Sequence, residues 1–523
     1  MPASRSRPAR GRRALLVRAA AVALAVPAAL AVQAQEVSEE GRTYYLQPSV
    51  TFRQTLTDNG RLQGDRGRAD LITEVRPSVR FGVRNRWARA SVGYSLIGIA
   101  YARDSDRNDV QQTLSLGTGA SGSGELELIE NRLFLEGSAG ISQRVVSPFG
   151  LTPTDPQRSG ENTAQVGTYT LAPYLVGSFG GAADYRLGVS HSGRTQADKF
   201  RLGATSTSAQ ANLSSGRDFG RLRWGLAANR TRDDFEGGRR TDRASVVGTL
   251  SYVVGADLVL NANAGADWNN FSTVGQQRYD RYGAGFQWRP SERTLLAVQV
   301  EDRYFGTGYD VIAQYRTPRT VWTLSGSRDA TDFRGRGTTI VGTAFDLLYA
   351  QFASIQPDPL LREQLVLEFL RTNGIPPETL LLSDFLFQSA TLQQRHQLSF
   401  ALVGRRSTLT VAATQSRISR IDNLVSIVDV FDDTRFVRQR GLSVTASHRL
   451  TPLSSLSLRL AEQRSDGELD TQSTRLRTVF VTWSTDLGRR TTFALEGRHA
   501  EFDSLTRPYT ENSLVATLNL RFY

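Results

Sequence analysis

The stretch "GFQWRPSERTLLAVQV", Gly285 to Val300, places Phe286 and Trp288 on alternate positions and turns through Arg289–Arg293. It then alternates again with Leu296, Val298 and Val300. Successive side chains on a strand point to opposite faces, so each half has one apolar and one polar face. The same period recurs in Leu222, Trp224, Leu226 and Ala228, in Tyr185, Leu187 and Val189, and in Leu409, Val411 and Ala413. Leu442, Val444 and Ala446 repeat it, as do Leu456, Leu458 and Leu460. Short connections (Asn85-Arg86, Glu130-Asn131-Arg132, Gly180-Gly181, Gly255-Ala256-Asp257, Thr317-Pro318, Gly404-Arg405-Arg406, Leu450 to Leu453, Gly488-Arg489) alternate with longer polar loops. Among the long ones are 58–68, 147–162 and 232–242. Tight turns on one rim and long loops on the other predict an all-β, transmembrane antiparallel barrel of about 22 strands, with periplasmic turns and outer loops.

After Ala34 no stretch approaches the ~20 apolar residues that a membrane-spanning helix needs, so a closed barrel is the one way the remaining chain could be integral. Trp87, Trp224, Trp288, Trp322 and Trp483 all fall close to short turns, as an interfacial aromatic girdle requires. The final segment "SLVATLNLRFY" sets Leu514, Ala516, Leu518, Leu520 and Phe522 on one face. A terminal strand ending in aromatics resembles an outer-membrane assembly signal, although Tyr523 lies off the apolar parity. The partners this implies are outer-membrane lipids and the assembly machinery.

One region breaks the period. Residues 338–390 read as helical: Asp358 is a good N-cap before Pro359, Leu361, Leu365 and Phe369 recur on one side, and Asn373-Gly374 ends the helix. A second helix is expected from Pro377 to Phe387 and a third from Ile340 to Phe352. The domain reading is thus a leader over 1–34, a barrel over 35–337, the helical insertion over 338–390 and the rest of the barrel over 391–523. The insertion falls among the long loops. With so many Leu and Phe, it is expected to fold into or over the barrel mouth as a plug or cap.

Composition then adjusts the picture. Residues 1–34 hold six arginines, no acid and an Ala/Val/Leu run closing on Val32-Gln33-Ala34, the pattern of a cleaved secretory signal peptide. Without it the formal charge of +12 falls to +6, and arginine is spread rather than clustered, so nucleic acid is not an expected partner. There is no cysteine, which leaves stability to backbone pairing and packing. The insertion carries −4, from six acids against Arg362 and Arg371, so its acids are expected to face lumen arginines. Strand phase puts Arg221, Arg223, Arg281, Arg303, Arg459, Arg498 and Arg521 on the inner face. Such arginines either favour anionic solutes or pair with acids on neighbouring strands to hold the wall; the second reading is preferred.

Catalytic chemistry is sparse. Gly117-Thr118-Gly119-Ala120-Ser121-Gly122 matches a dinucleotide-binding pattern by letters, but it sits inside a predicted strand with no helix after it. His191, His396, His448 and His499 are far apart and make no close-spaced metal pair. No catalytic residue, metal site or cofactor is assigned, and the chain is not read as an enzyme.

Several stretches resemble the PEP-CTERM-system-associated outer-membrane proteins. "YYLQPSVTFRQTLTDNG", with Pro48 and the Thr57-Asp58-Asn59 loop entry, is like that family's opening strand, and "DLITEVRPSVRF", with Pro77 after Glu74-Val75-Arg76, is like its second. "EDRYFGTGYDVIAQYRTPRTVWTLSGSRD", from Glu301 to Asp329, is similar to its central hairpins. The insertion, with "FDLLYAQ" and "DPLLREQLVLEFLRTNG", sits where members also carry one. The resemblance implies an integral outer-membrane barrel of Gram-negative bacteria linked to exosortase sorting and exopolysaccharide export. It supplies no functional residues. Three functions follow as expectations: a conduit or channel component, a non-conducting scaffold or surface receptor, and a barrel hydrolase. A TonB-dependent importer is not expected, because only Gln35 to Gly41 precede the first strand, too few for a plug domain.

Overall fold

The computed structural model describes residues 44–522, apart from 65–66, 118–123, 156–157, 159, 197–202, 237, 332–344, most of 346–358 and 373–384, 388, 423 and 425–429. The signal-peptide reading over 1–34, the N-cap Asp358 and the Asn373-Gly374 stop lie outside the described residues.

The first eight strand segments are β1 (Tyr44–Thr57), β2 (Asp70–Arg84), β3 (Ala88–Tyr101), β4 (Asp109–Leu116), β5 (Gly124–Ile129), β6 (Leu133–Val145), β7 (Thr163–Phe179) and β8 (Ala183–Gln196). Then come β9 (Ala204–Ser215), β10 (Leu222–Phe235), β11 (Thr241–Val254), β12 (Leu258–Asn269), β13 (Gln277–Ser291), β14 (Thr294–Arg303), β15 (Gly306–Arg316) and β16 (Thr320–Thr331). After the insertion follow β17 (Thr391–Val403), β18 (Ser407–Arg420), β19 (Phe436–Arg449), β20 (Ser454–Asp466), β21 (Ser473–Gly488), β22 (Thr491–Ser504) and β23 (Tyr509–Arg521). All pairings are antiparallel and, β4 and β5 apart, join sequence neighbours; β1 closes on β23 from Ser49↔Arg521 to Thr57↔Ser513. Closure leaves no free edge, which lets every strand satisfy its backbone groups without water. The result is a 22-strand barrel of the outer-membrane type, because β4 and β5 together form one wall strand between β3 and β6.

Of the Gly117–Gly122 stretch read as strand, Gly117 lies just past the end of β4, and 118–122 fall outside the described residues. β4 ends at Leu116 and β5 starts at Gly124, while the facing β6 residues are Ala139 and Gly137. β4 pairs with β6 over Leu114–Leu116 alone, and β3 pairs with β5 only at Ala88↔Leu126 and Arg89↔Glu125.

Parity sorts the two faces as the alternation demands. Leu442, Leu458 and Leu460 are exposed on the outer face, while Ser443, Ser457 and Thr478 are buried on the inner one. Trp87, Trp288, Trp322 and Trp483 face outward near the short-turn rim, with Trp322 packed on Phe400 at 4.3 Å between ring centroids. The turn rhythm has exceptions: on the long-loop rim Tyr304-Phe305 joins β14 to β15 and 505–508 joins β22 to β23, while 216–221 on the short-turn rim is longer than its neighbours.

Within the insertion, Phe345, Leu348, Tyr349 and Phe352 are helical and α1 spans Pro359–Thr372. Val366 and Leu370 are fully buried against Leu348, Tyr349 and Phe352. The expected apolar face was offset: Leu361 and Leu365 are exposed, and of that trio only Phe369 joins the cluster. The helix packs on its neighbouring helical turn, and that contact selects the 366/370 side. The helix expected over 377–387 does not extend to its end. Phe385 instead forms a parallel bridge with Val145, and residues 386–387 are not helical.

Candidate functional site: a lumen crossed by two segments

The first segment is the β6–β7 loop, 146–162. Its neck is closed by the Val146 N–H donating to the Asn162 carbonyl (2.9 Å). The Asn162 side chain accepts from the Ser147 N–H (2.9 Å) and donates to the carbonyls of Ser147 (2.9 Å) and Leu151 (3.2 Å). Gly150 lies against that amide so closely that a Cβ there would sit 2.4 Å from it. A braced neck sends the loop inward instead of letting it extend outward.

Inside, the loop meets four strands. Thr474 of β21 donates to the Pro148 carbonyl (3.1 Å), and Tyr509 of β23 donates to that of Thr152 (2.7 Å). Asp155, 5 % exposed, pairs with Arg53 of β1 at 2.6 Å and with Arg498 of β22 at 3.6 Å. Arg53 also pairs with Glu74 of β2 (3.3 Å), and Arg498 with Glu496. Arg158 pairs with Glu511 of β23 (2.6 Å), which accepts from Thr57 as well (2.7 Å). Arg53 lies four positions and Arg498 six positions in from the outer ends of their strands. Measured along the wall, Asp155 is therefore roughly 13–20 Å below the rim. Leu151 packs with Leu62, Phe502 and Tyr509 above this ionic cluster.

The second segment is the insertion between β16 and β17. Glu363 of α1 comes within electrostatic reach of Tyr45, the second residue of β1. Tyr45 pairs with Gly82, near the short-turn end of β2, so a segment that leaves from the outer rim reaches the lower lumen. On the way back, Arg194 of β8 donates to the Phe387 carbonyl at 2.9 Å, both groups buried. Phe385 and Phe387 join Ile418 of β18, Val437 of β19 and Phe431 of the β18–β19 loop in one apolar knot, with Phe149 of the first segment against it. The two lumen segments therefore touch.

The seven arginines placed inside by strand phase sort as follows. Arg281 and Arg303 converge on Asp267, at 3.6 and 3.0 Å; Arg281 also pairs with Glu301, and Arg303 with Asp329 at 2.7 Å. Arg459 and Arg498 converge on the Phe480 ring, 4.0 and 5.6 Å from its centroid. Arg521 donates to Thr492 (3.4 Å). Arg223 shares the parity of buried Thr231 and Asp233 and is itself exposed. Arg221 is the exception: β10 begins at Leu222, so it lies in the rim turn, where its carbonyl accepts from Val253. Most of this set pairs with acids or rings of the wall, the arrangement that braces a barrel. From the β6–β7 loop Asp155 meets Arg498 of this set, and Glu363 of the insertion comes within electrostatic reach of Tyr45. Asp346, Asp358, Glu378 and Asp384 lie outside the described residues.

Sequence reasoning missed Arg53, Glu74, Asp155, Arg158 and Glu511. The one local signal was two charges, Asp155 and Arg158, in a loop stiffened by Pro153 and Pro156.

The histidines assemble no catalytic set. His191 bonds Tyr169 and Thr207, His396 bonds Tyr309, His499 bonds Asn512, and His448 bonds Ser407 at 2.8 Å with no third group orienting it among the described residues. No group of three His, Asp or Glu side chains suited to a metal occurs among the described residues.

Residues 203–335 match a family described as "Protein of unknown function, DUF481". Sequence comparison with curated proteins gives no match. Among solved structures, the siderophore receptor PirA from Acinetobacter baumannii is similar at 10 % identity and a TM-score of 0.48, over 93 % of this chain and 81 % of that one. The Ferric-Catecholate import receptor Fiu from E. coli K12 aligns at 9 % identity, a TM-score of 0.48, and 90 % and 81 % coverage. OccK2 (OpdF) from Pseudomonas aeruginosa aligns at 10 % identity, a TM-score of 0.33, and 91 % and 98 % coverage. These likenesses concern architecture and go no further.

Proposed function

We propose that this chain is an outer-membrane conduit, closed from within by its own loops, that serves exosortase-linked export of exopolysaccharide. The observation that carries the reading is a polar inner face crossed by two segments of the same chain, one of them held by ion pairs. A permanently solid wall needs no such removable contents, whereas a gated tube does. The inner Ser, Thr, Asn, Gln and Arg offer many weak hydrogen-bond sites, which suits a sliding sugar polymer. The polysaccharide and exosortase part rests on the sequence resemblance of the opening strands, central hairpins and insertion.

Two measurements test it. Carbonate extraction should leave the chain in the outer-membrane fraction. In planar bilayers, neutral or acidic oligosaccharides should interrupt the current of a variant lacking 338–390. Recovery in the soluble fraction, or an open current that oligosaccharides never perturb, contradicts the conduit. The rival reading is a surface receptor. It is favoured by a cavity of about 940 Å³ among the outer loops, lined by Arg61, Asp104, Arg158, Glu161 and Arg507. An electrically silent barrel that binds oligosaccharide at that cavity would select it.

A further inference from the structure

The outer face of β19–β21 carries a feature the conduit does not use. Arg440 of β19 is directly opposite Arg464 of β20, and Arg464 is directly opposite Arg475 of β21. All three share the outward parity of Leu442, Leu460 and Val479, which are exposed. Like charges directly opposite on neighbouring strands repel. The local carboxylates are already committed: Glu462 to Arg475 (2.7 Å) and Arg477 (3.6 Å), Asp466 to Arg464 (2.8 Å). Arg440 makes no side-chain hydrogen bond or ion pair among the described residues, and the Nε of Arg475 is buried without a partner. Between them lies a depression of about 240 Å³, lined by Arg440, Leu442, Glu462, Arg464 and Arg475.

Its height on the wall decides the ligand. Arg440 is four residues from the outer end of β19, while Arg464 and Arg475 are each two from theirs. Leu442, then Leu460 and Val479, follow toward the opposite rim. The row therefore sits at the upper edge of the apolar belt, facing away from the lumen. An anion there must belong to something that also lies against that belt. Guanidinium forks match phosphate oxygens in pairs. We propose that this row is a docking site for the phosphate groups of a phosphorylated acyl-sugar lipid of the outer leaflet. The acyl chains would lie on Leu442, Leu460 and Val479. The proposal rests on the outer-membrane reading above.

The test uses detergent-purified full-length protein and native mass spectrometry with bisphosphorylated lipid A, dephosphorylated lipid A and inorganic phosphate. The wild type should retain the bisphosphorylated lipid at least tenfold more strongly than the dephosphorylated one, and inorganic phosphate at matched concentration should not displace it. Arg440→Gln/Arg464→Gln should lose that preference, whereas Arg278→Gln, an exposed arginine elsewhere on the outer face, should keep it. Equal retention of both lipids, an unaffected double variant, or full displacement by inorganic phosphate would overturn the lipid site. Heat-modifiable mobility of each variant shows whether the barrel has folded. Membrane fractionation of the wild type separates failure of this site from failure of the outer-membrane reading, since lipid selectivity in detergent does not depend on location.

Discussion

The two segments that cross the lumen are held by opposite kinds of force. The β6–β7 loop is the shorter of the two, pinned at its neck by Asn162, and fastened by charge: Asp155 to Arg53 and Arg498, Arg158 to Glu511. The insertion is long and is anchored mainly by apolar knots, Val366 and Leu370 within itself and Phe385 and Phe387 against Ile418, Phe431 and Val437. Apolar contact is non-directional and scales with buried area. A buried ion pair instead depends on partner and geometry, and removing one member strands the other charge. The loop thus acts as a specific latch, and the insertion as a filler that depends on volume.

Breaking the latch and emptying the knot should give the largest single-residue effects, in different places. Asp155→Asn takes from buried Arg53 its nearest carboxylate, leaving Glu74 and Glu496, and loss of one buried partner costs about 3–5 kcal/mol. Urea unfolding from detergent should show a drop of that order, and hydrogen exchange in 146–162 should rise. Unchanged protection there would mean that the ion pair does not hold the loop. On the apolar side, Phe387→Ala should cost about 3–5 kcal/mol by leaving a cavity beside Phe431. Exchange should speed up around Val437 and Ile418 but not around Asp155. Equal loosening of both segments would erase the distinction drawn between them. Gly150→Ala should cost about 1–3 kcal/mol, because the new methyl displaces the Asn162 amide from the neck. A double change with Asn162→Ala should recover part of that cost, and full additivity would deny the contact.

The smallest effect belongs to the outer loops. Arg61 donates to Asp104, and that hydrogen bond holds the Asp104 carboxyl below its ordinary value. A group depressed on folding stabilises the folded state above its unfolded pKa and loses that contribution as pH falls through the folded one. Carbon-detected titration should therefore find Asp104 still ionised below the usual aspartate range near ~3.9. A midpoint at or above that value contradicts the pairing.

What was legible beforehand follows from the same contrast. Period-two alternation is a local property, so Leu442–Ala446 or Phe286–Trp288 announces its faces within five residues. Hairpin rhythm is nearly as local, and it led to about the right number of strands. Gly117 escaped because a small residue fits a strand and a bend alike. The latch escaped for a different reason: Asp155 meets Arg498, 343 positions later, across a cylinder whose closure the chain does not spell out. Charge alone pointed to the insertion as the acidic partner of the lumen arginines. The neck geometry at Asn162, which decides that the shorter loop goes in, is written in one side-chain amide and one glycine.

The central claim is that this chain occupies its own lumen. Single-channel conductance of the intact protein, of the variant lacking 338–390, and of that variant also carrying Asp155→Asn tests it most directly. The intact barrel should be near-silent, removing the insertion should give a large step, and breaking the latch should add a further increase or flicker. Identical conductance in all three would contradict it.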